Sequence, residues 1–144
     1  MQSFMAQLPD RALRCQWLEP GPSRDHFDRP VLIFLHEGLG CIEMWRDFPL
    51  SLCQATGFRG LVYDRTGYGG STPWPHDPGI AYMHQEAQIV LPQLLTALAI
   101  EDCILVGHSD GGSIALIYGG AKPEPLHAIV TMAEIGRASC RERV

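Results

Sequence analysis

The chain has 144 residues, room for one domain with a real core and no more. It is 46% hydrophobic and 19% charged, which excludes disordered and fibrous classes. The net charge of -5 argues against nucleic acid or an anionic membrane surface as partner, and no apolar run reaches the ~20 residues of a membrane span.

The first ten residues lack a basic segment followed by an apolar one, so no signal peptide is visible and the cytoplasm is the expected compartment. Residues 13–18 alternate weakly and predict an early strand. Residues 20–30, rich in Pro, Asp and Arg, predict a loop. Val31–Leu35 is a continuous apolar run too short for a helix, as a strand buried on both faces would be. A loop with Gly38 and Gly40 follows, then a helix over residues 45–56 closed by Gly57. Residues 60–64 predict a second buried strand that ends in the glycine-rich turn of residues 66–71. Pro73, Pro75 and Pro78 keep the next stretch irregular. From Ala81, the residues Met83, Ala87, Val90, Leu91, Leu94 and Leu98 fall at helical spacing, with a kink expected at Pro92. Residues 103–106 predict a third buried strand, residues 113–118 lie on another helix, and Leu126–Met132 predicts a fourth strand. Strands alternating with helices imply an α/β fold with a mostly parallel sheet and helices on both faces.

The cysteines, Cys15, Cys41, Cys53, Cys103 and Cys140, are odd in number and form no C-x-x-C pair. They read as buried thiols, not as a disulfide framework or zinc site. The histidines lack metal-ligand spacing, and no metal or cofactor is expected.

The chemistry concentrates in Gly107-His108-Ser109-Asp110-Gly111-Gly112, a G-x-S-x-G pattern placed where a buried strand stops and a helix starts. At such a junction a sharp, strained turn lifts the serine hydroxyl above the sheet edge, and the helix N-terminus below it places partial positive charge where an oxyanion forms. Ser109 is therefore the candidate nucleophile. Gly107 and Gly111 are needed because a side chain there would collide with the neighbouring strand or helix.

A second element lies after the first buried strand, in His36-Glu37-Gly38-Leu39-Gly40. Together with Asp64-Arg65-Thr66-Gly67-Tyr68-Gly69-Gly70-Ser71 and the elbow, it resembles the α/β-hydrolase fold family, whose order of strand, oxyanion loop, glycine turn and nucleophile elbow is matched over residues 31–133. The resemblance implies an oxyanion hole built from the backbone N–H groups of Asp110 and of Gly38, with Leu39 as the alternative to Gly38. Each such donor is commonly worth about 10²–10³-fold in rate. Glu37 stands where the family usually has glycine, and it is expected to point away from the hole or to pair with a basic group. The family also makes the Asp110 side chain a candidate substrate contact, for an ammonium group. The plainer alternative is pairing with a nearby arginine or with the helix N-terminus. His36 reads as a residue that orients the loop, and His108 as packing beside the strand end. Asp64 is not expected to be the triad acid, because the family places its acid and then its histidine after later strands. Trp45, Trp74 and Tyr82 are candidates to line a pocket.

Residues 135–144 lose all apolar periodicity and bring in Arg137, Arg141 and Arg143. They match the translation of a common short-read sequencing adapter. The expected organisation is therefore an incomplete, C-terminally truncated hydrolase domain over residues 1–134 followed by a non-native tail. The base and acid would lie in sequence beyond it, so the fragment is expected to be inactive. For the intact protein the reading is a serine hydrolase acting on a carboxylic ester or related small-molecule acyl substrate, without nucleic-acid or membrane partners. Hydrolysis of a carbon–carbon bond, and a non-catalytic binding protein on the same fold, are the alternatives.

Overall fold

The computed structural model describes residues 2–23 and 25–133. One sheet of six strands runs in the order β1-β2-β4-β3-β5-β6, where β1 is Phe4–Gln7, β2 Ala12–Leu18, β3 Val31–Leu35, β4 Gly60–Tyr63, β5 Cys103–His108 and β6 Leu126–Met132. Strands β4, β3, β5 and β6 are mutually parallel, whereas β1 and β2 add to the β4 edge antiparallel. The sheet is thus mostly parallel, as the alternation predicts. Strand β1 escapes a pattern reading because it has four residues, of which only Ala6 is buried.

The continuous apolar run of β3 has a simple cause. Successive side chains of a strand point to opposite faces, and both faces are covered. Ile33 and Leu35 enter one core with Leu13, Leu61, Leu105 and, from the covering helices, Leu91, Leu94, Ile114 and Tyr118. Leu32 and Phe34 enter a second core with Val62, Val106 and Cys53. Each fully buried aliphatic side chain contributes roughly 1.5–3 kcal/mol, so the sheet centre, from which the site is built, is also the most strongly held part.

The helix expected over residues 45–56 is divided. A 3-10 turn spans Ile42–Trp45, Arg46 turns the chain at φ 56°, and helix α1 runs over Phe48–Thr56. Pro49 sits in its first turn, where a missing N–H costs nothing. Gly57, left-handed at φ 77°, ends α1 by donating its N–H to the Cys53 carbonyl at 2.8 Å. The long helix expected from Ala81 comprises a 3-10 turn Gly79–Ala81, α2 (Tyr82–Gln85), a π-turn Glu86–Val90 and α3 (Leu91–Ala97). The wide π-turn falls directly before Pro92, which has no N–H to offer the Gln88 carbonyl. Helix α4 covers Asp110–Gly120, starting three residues before the predicted helix.

The fourth predicted strand, β6, differs from the three before it: His127, Ala128, Val130 and Thr131 are exposed, because β6 pairs with β5 on one side and no described strand lies beyond it. Cys15, Cys53 and Cys103 are buried thiols, as expected, and Cys41 is half-buried. Burial pushes the Cys15 and Cys103 thiols up to about 12 and Cys53 up to about 11, which makes them poor nucleophiles at neutral pH. Cys140 and the tail of residues 135–144 lie outside the described residues. Among the described residues no helix is long and apolar enough to cross a membrane.

Candidate active site

The chain leaves β3 to build β4 on one side of it and returns to build β5 on the other. Connections that diverge in this way open a crevice beyond the carboxyl ends of the two strands, the usual ligand site of open α/β sheets. The register sets Leu35 opposite Gly107, so the loop of residues 36–40 and the turn at Ser109 emerge side by side.

Ser109 joins β5 to α4 with φ 56° and ψ -115°. A non-glycine residue held there costs on the order of 1–3 kcal/mol and persists only where its surroundings over-determine it. The surroundings do so. The Ser109 N–H donates to the Met132 carbonyl of β6 at 3.0 Å, and the Ser109 carbonyl accepts from Gly112 at 2.8 Å and Ser113 at 3.2 Å. Close packing completes the turn. A Cβ on Gly107 would strike the Gly111 carbonyl and come within 2.6 Å of the Gly112 nitrogen, and a Cβ on Gly111 would strike the Leu35 carbonyl oxygen. As the first residue of α4, Asp110 has a backbone N–H with no intrahelical acceptor.

The loop after β3 is held from below. Buried His36 accepts the Arg65 N–H on Nε2 at 2.9 Å, which fixes the proton on Nδ1, and Nδ1–H donates to the Glu37 carbonyl at 2.7 Å. The ring also packs edge-on against Tyr68, with centroids 5.1 Å apart. Burial, assisted by the nearby Arg65 charge, holds the His36 imidazole down to about 4, so it is neutral at pH 7. It orients the loop, as its position in the sequence predicts.

Gly38 lies against Asp110: a Cβ there would come 2.5 Å from the Asp110 Oδ2. The two residues expected to supply the oxyanion hole are therefore neighbours, with the Asp110 side chain against Gly38. Leu39, the alternative donor, has a side chain that is 89% exposed. The Glu37 carboxylate has His108 as a basic neighbour, with Oε2 3.7 Å from Nδ1. His108 itself packs beside the end of β5 against Trp45, centroids 6.0 Å apart.

Asp110 stands in the first turn of α4, at the helix N-terminus as one alternative expected, but its side-chain hydrogen bond is not to an arginine. It is to Tyr82, whose hydroxyl donates to Oδ2 at 2.6 Å. Desolvation, together with this carboxylate, raises the Tyr82 hydroxyl above its ordinary range, so it remains a donor at any physiological pH. Tyr82 also lines an open cavity of about 590 Å³, together with Tyr68, Trp74 and Ile80. Trp45 lies elsewhere, in a smaller cavity with His36, Glu37 and His108.

Asp64 is wholly buried and structural. It accepts N–H groups from Ile42 at 2.7 Å and Gly70 at 2.9 Å and is paired with Arg14 at 3.0 Å. Arg14 also holds Glu43, whose carboxyl it pulls down to about 2. Cys41, Glu43 and Asp64 bring potential metal-ligating atoms within 4.8 Å of one another, but both carboxylates already serve Arg14. His127, the one histidine after Ser109 in the sequence, pairs with Asp102 at 3.2 Å, at the opposite end of β5 from the serine. Pattern reading missed Arg65 and Glu86, both buried. Glu86 accepts from the Thr66 N–H at 2.8 Å and from its hydroxyl at 3.1 Å, and its carboxyl is raised by burial. A charged residue on the inner side of an amphipathic helix was the available signal.

Comparison with known proteins places these features in a lineage. A family profile described as "alpha/beta hydrolase fold" matches residues 30–139. The chain is 33% identical over 105 residues to the sn-1-specific diacylglycerol lipase ABHD11 of Mus musculus, covering 72% of this chain and 32% of that protein. It is 30% identical over 113 residues to a proline iminopeptidase of Lactobacillus helveticus, covering 78% of this chain and 38% of the relative. A crystal structure of a proline iminopeptidase from Mycobacterium smegmatis superposes with a TM-score of 0.76 at 26% identity, over 89% of this chain and 42% of that one. The chain thus spans about a third of the length of the curated relatives it matches.

Proposed function

The chain belongs to the α/β-hydrolase fold family, and from that premise we propose that the full-length protein is a serine hydrolase with Ser109 as nucleophile. The observation that carries the proposal is the backbone of Ser109, held at φ 56° and ψ -115° between β5 and α4 by contacts that leave no room for a side chain at Gly107 or Gly111. Strain of this kind is retained where a side chain must be presented.

In this reading the Ser109 oxygen attacks a carbonyl carbon, and the negative charge formed on the carbonyl oxygen rests on the N–H groups of Asp110 and Gly38. A histidine, held in the right tautomer by an acid and supplied with it from sequence beyond residue 134, takes the serine proton and delivers it to the leaving group. Water then releases the acyl-enzyme. No metal or cofactor takes part. Carboxylic esters are the proposed substrates, since the relatives include a lipase. The serine sets this protein apart from members of the fold that attack with a carboxylate.

The Asp110 side chain is the proposed substrate contact. It is bonded to Tyr82, one of the residues that line the aromatic cavity, an arrangement suited to a substrate carrying a positive charge near its acyl group. Turnover of a panel of neutral and α-amino p-nitrophenyl esters by the full-length protein tests the whole proposal. Ser109→Ala is expected to lower kcat/KM by about 10³-fold or more on every active ester, and Asp110→Asn to lower it selectively for the amino esters. Full activity in Ser109→Ala would remove the proposed nucleophile. Equal losses on both ester classes in Asp110→Asn would remove the substrate contact.

A further inference from the structure

Arg65 is fully buried, and its guanidinium makes a single hydrogen bond among the described residues, from Nη2 to the Glu37 carbonyl at 3.1 Å; Nε and Nη1 have no partner there. A guanidinium cannot shed its charge, and burying one with most of its donors unused is costly. Its stacking on Tyr68, 5.0 Å from the ring centroid, replaces little of the lost hydration. The buried Glu86 carboxylate balances the Arg65 charge, but charge balance alone does not call for a guanidinium that spends its hydrogen bond on the Glu37 carbonyl.

What Arg65 touches supplies the reason. The Glu37 carbonyl accepts three donors: His36 Nδ1 at 2.7 Å, Arg65 Nη2 at 3.1 Å and the Gly40 N–H at 3.1 Å. That carbonyl and the Gly38 N–H belong to one planar trans peptide unit, in which the two groups point in opposite directions. Three donors gripping the oxygen fix the plane, so the Gly38 N–H is held facing away from the Arg65 and His36 side. A donor carrying full charge also polarises the unit and makes the N–H a stronger donor. We infer that Arg65 is a positioning residue, whose buried guanidinium locks and polarises the Glu37–Gly38 peptide so that the Gly38 N–H serves as an oxyanion donor. This rests on the reading of Ser109 as nucleophile, and it places the device in the glycine turn after β4, outside both motifs that carry the oxyanion hole.

The test uses full-length protein, with Arg65→Met removing charge and hydrogen bond and Arg65→Lys keeping the charge with one short donor. Three quantities are read: the rate at which a fluorophosphonate labels Ser109, deuterium uptake by the peptide spanning residues 36–40, and Tm. The expected result is labelling slowed about 10-fold or more in Arg65→Met, part of a single oxyanion donor's worth. Exchange in residues 36–40 rises several-fold, by more than any fall in Tm accounts for, and Arg65→Lys, which keeps the charge that faces Glu86, recovers part of the rate. Labelling within 2-fold of wild type with unchanged loop exchange overturns the inference, as does a rate loss that follows a fall in Tm in both variants. A wild-type protein that takes no label, with loop exchange still raised by Arg65→Met, overturns the nucleophile and leaves the hold on the loop standing. No label and no change in exchange overturn both.

Discussion

Two glycines of α4 offer a sharp contrast, because the same substitution has opposite expected signs at its two ends. At Gly111, a Cβ would sit inside contact distance of the Leu35 carbonyl oxygen, 2.5 Å from the Leu35 carbonyl carbon and 2.8 Å from the His36 carbonyl oxygen. All three are backbone atoms of β3 or its exit, and they have no rotamer to relax into. Helix α4 must therefore move off the strand by the better part of an ångström, against its packing through Ile114 and Ala115. Overpacking against yielding side chains costs roughly 1–3 kcal/mol, and an unyielding wall puts Gly111→Ala at or above the upper end, about 3 kcal/mol. At Gly120 nothing lies within 4 Å of an added Cβ and φ is not positive. Gly120→Ala should stabilise by about 0.4–1 kcal/mol through helix propensity and a less flexible unfolded chain. Urea denaturation of the full-length wild type and both variants measures the difference, with constant m-values showing that midpoints report stability. Gly111→Ala within about 0.5 kcal/mol of wild type, inside the range of an ordinary surface change, would refute the close approach of α4 to β3 and the elbow geometry that depends on it.

Other expectations follow from the charged and polar groups beneath the site. His36 titrates near 4 in the fold and near 6.5 when unfolded; the unfolded chain thus binds the extra proton first, and stability present above pH 6.5 is lost as pH falls towards 4, by up to about 3 kcal/mol. Glu86, raised by burial, acts with the opposite sign, so the measurement is the pH dependence of the urea midpoint in wild type minus that in His36→Gln; equal slopes would contradict the buried neutral imidazole. Arg14→Met leaves buried Asp64 with backbone donors only and should cost about 2 kcal/mol or more, read as a lower Tm; an unchanged Tm would show that the pair holds nothing. The Tyr63 hydroxyl is buried without a partner among the described residues, and Tyr63→Phe should therefore stabilise by about 1 kcal/mol in the same assay, with destabilisation pointing to a partner for that hydroxyl.

Much of the sheet was legible because its central parallel strands are buried on both faces. Runs such as Val31–Leu35 and residues 103–106 have no other economical reading, and the glycine pattern around Ser109 reports a contact between two backbones that the chain must satisfy locally. The boundaries that moved did so for local reasons: Arg46 turning the chain ahead of α1, and the π-turn ahead of Pro92. Strand β6 carries the apolar pattern of a buried strand, but its exposure depends on what lies beyond its free edge, which no local pattern encodes. At the site, Ser109 follows from the G-x-S-x-G spacing, while Gly38 and Asp110 are reached only through the family resemblance. The Tyr82 hydrogen bond to Asp110 spans 28 residues and the Arg65 bond to Glu37 also spans 28. Such contacts are set by how α2 and the turn after β4 pack over the crevice, so periodicity does not reveal them.

The central claim is that the strained residue at the β5–α4 junction is a nucleophile. The direct measurement is to treat full-length protein with a fluorophosphonate and locate the adduct by mass spectrometry of the proteolysed chain. The account predicts a single phosphonyl group on Ser109, absent from Ser109→Ala and from protein unfolded before treatment. A modified protein whose adduct lies on another residue, or a folded wild type that takes no label, would contradict it.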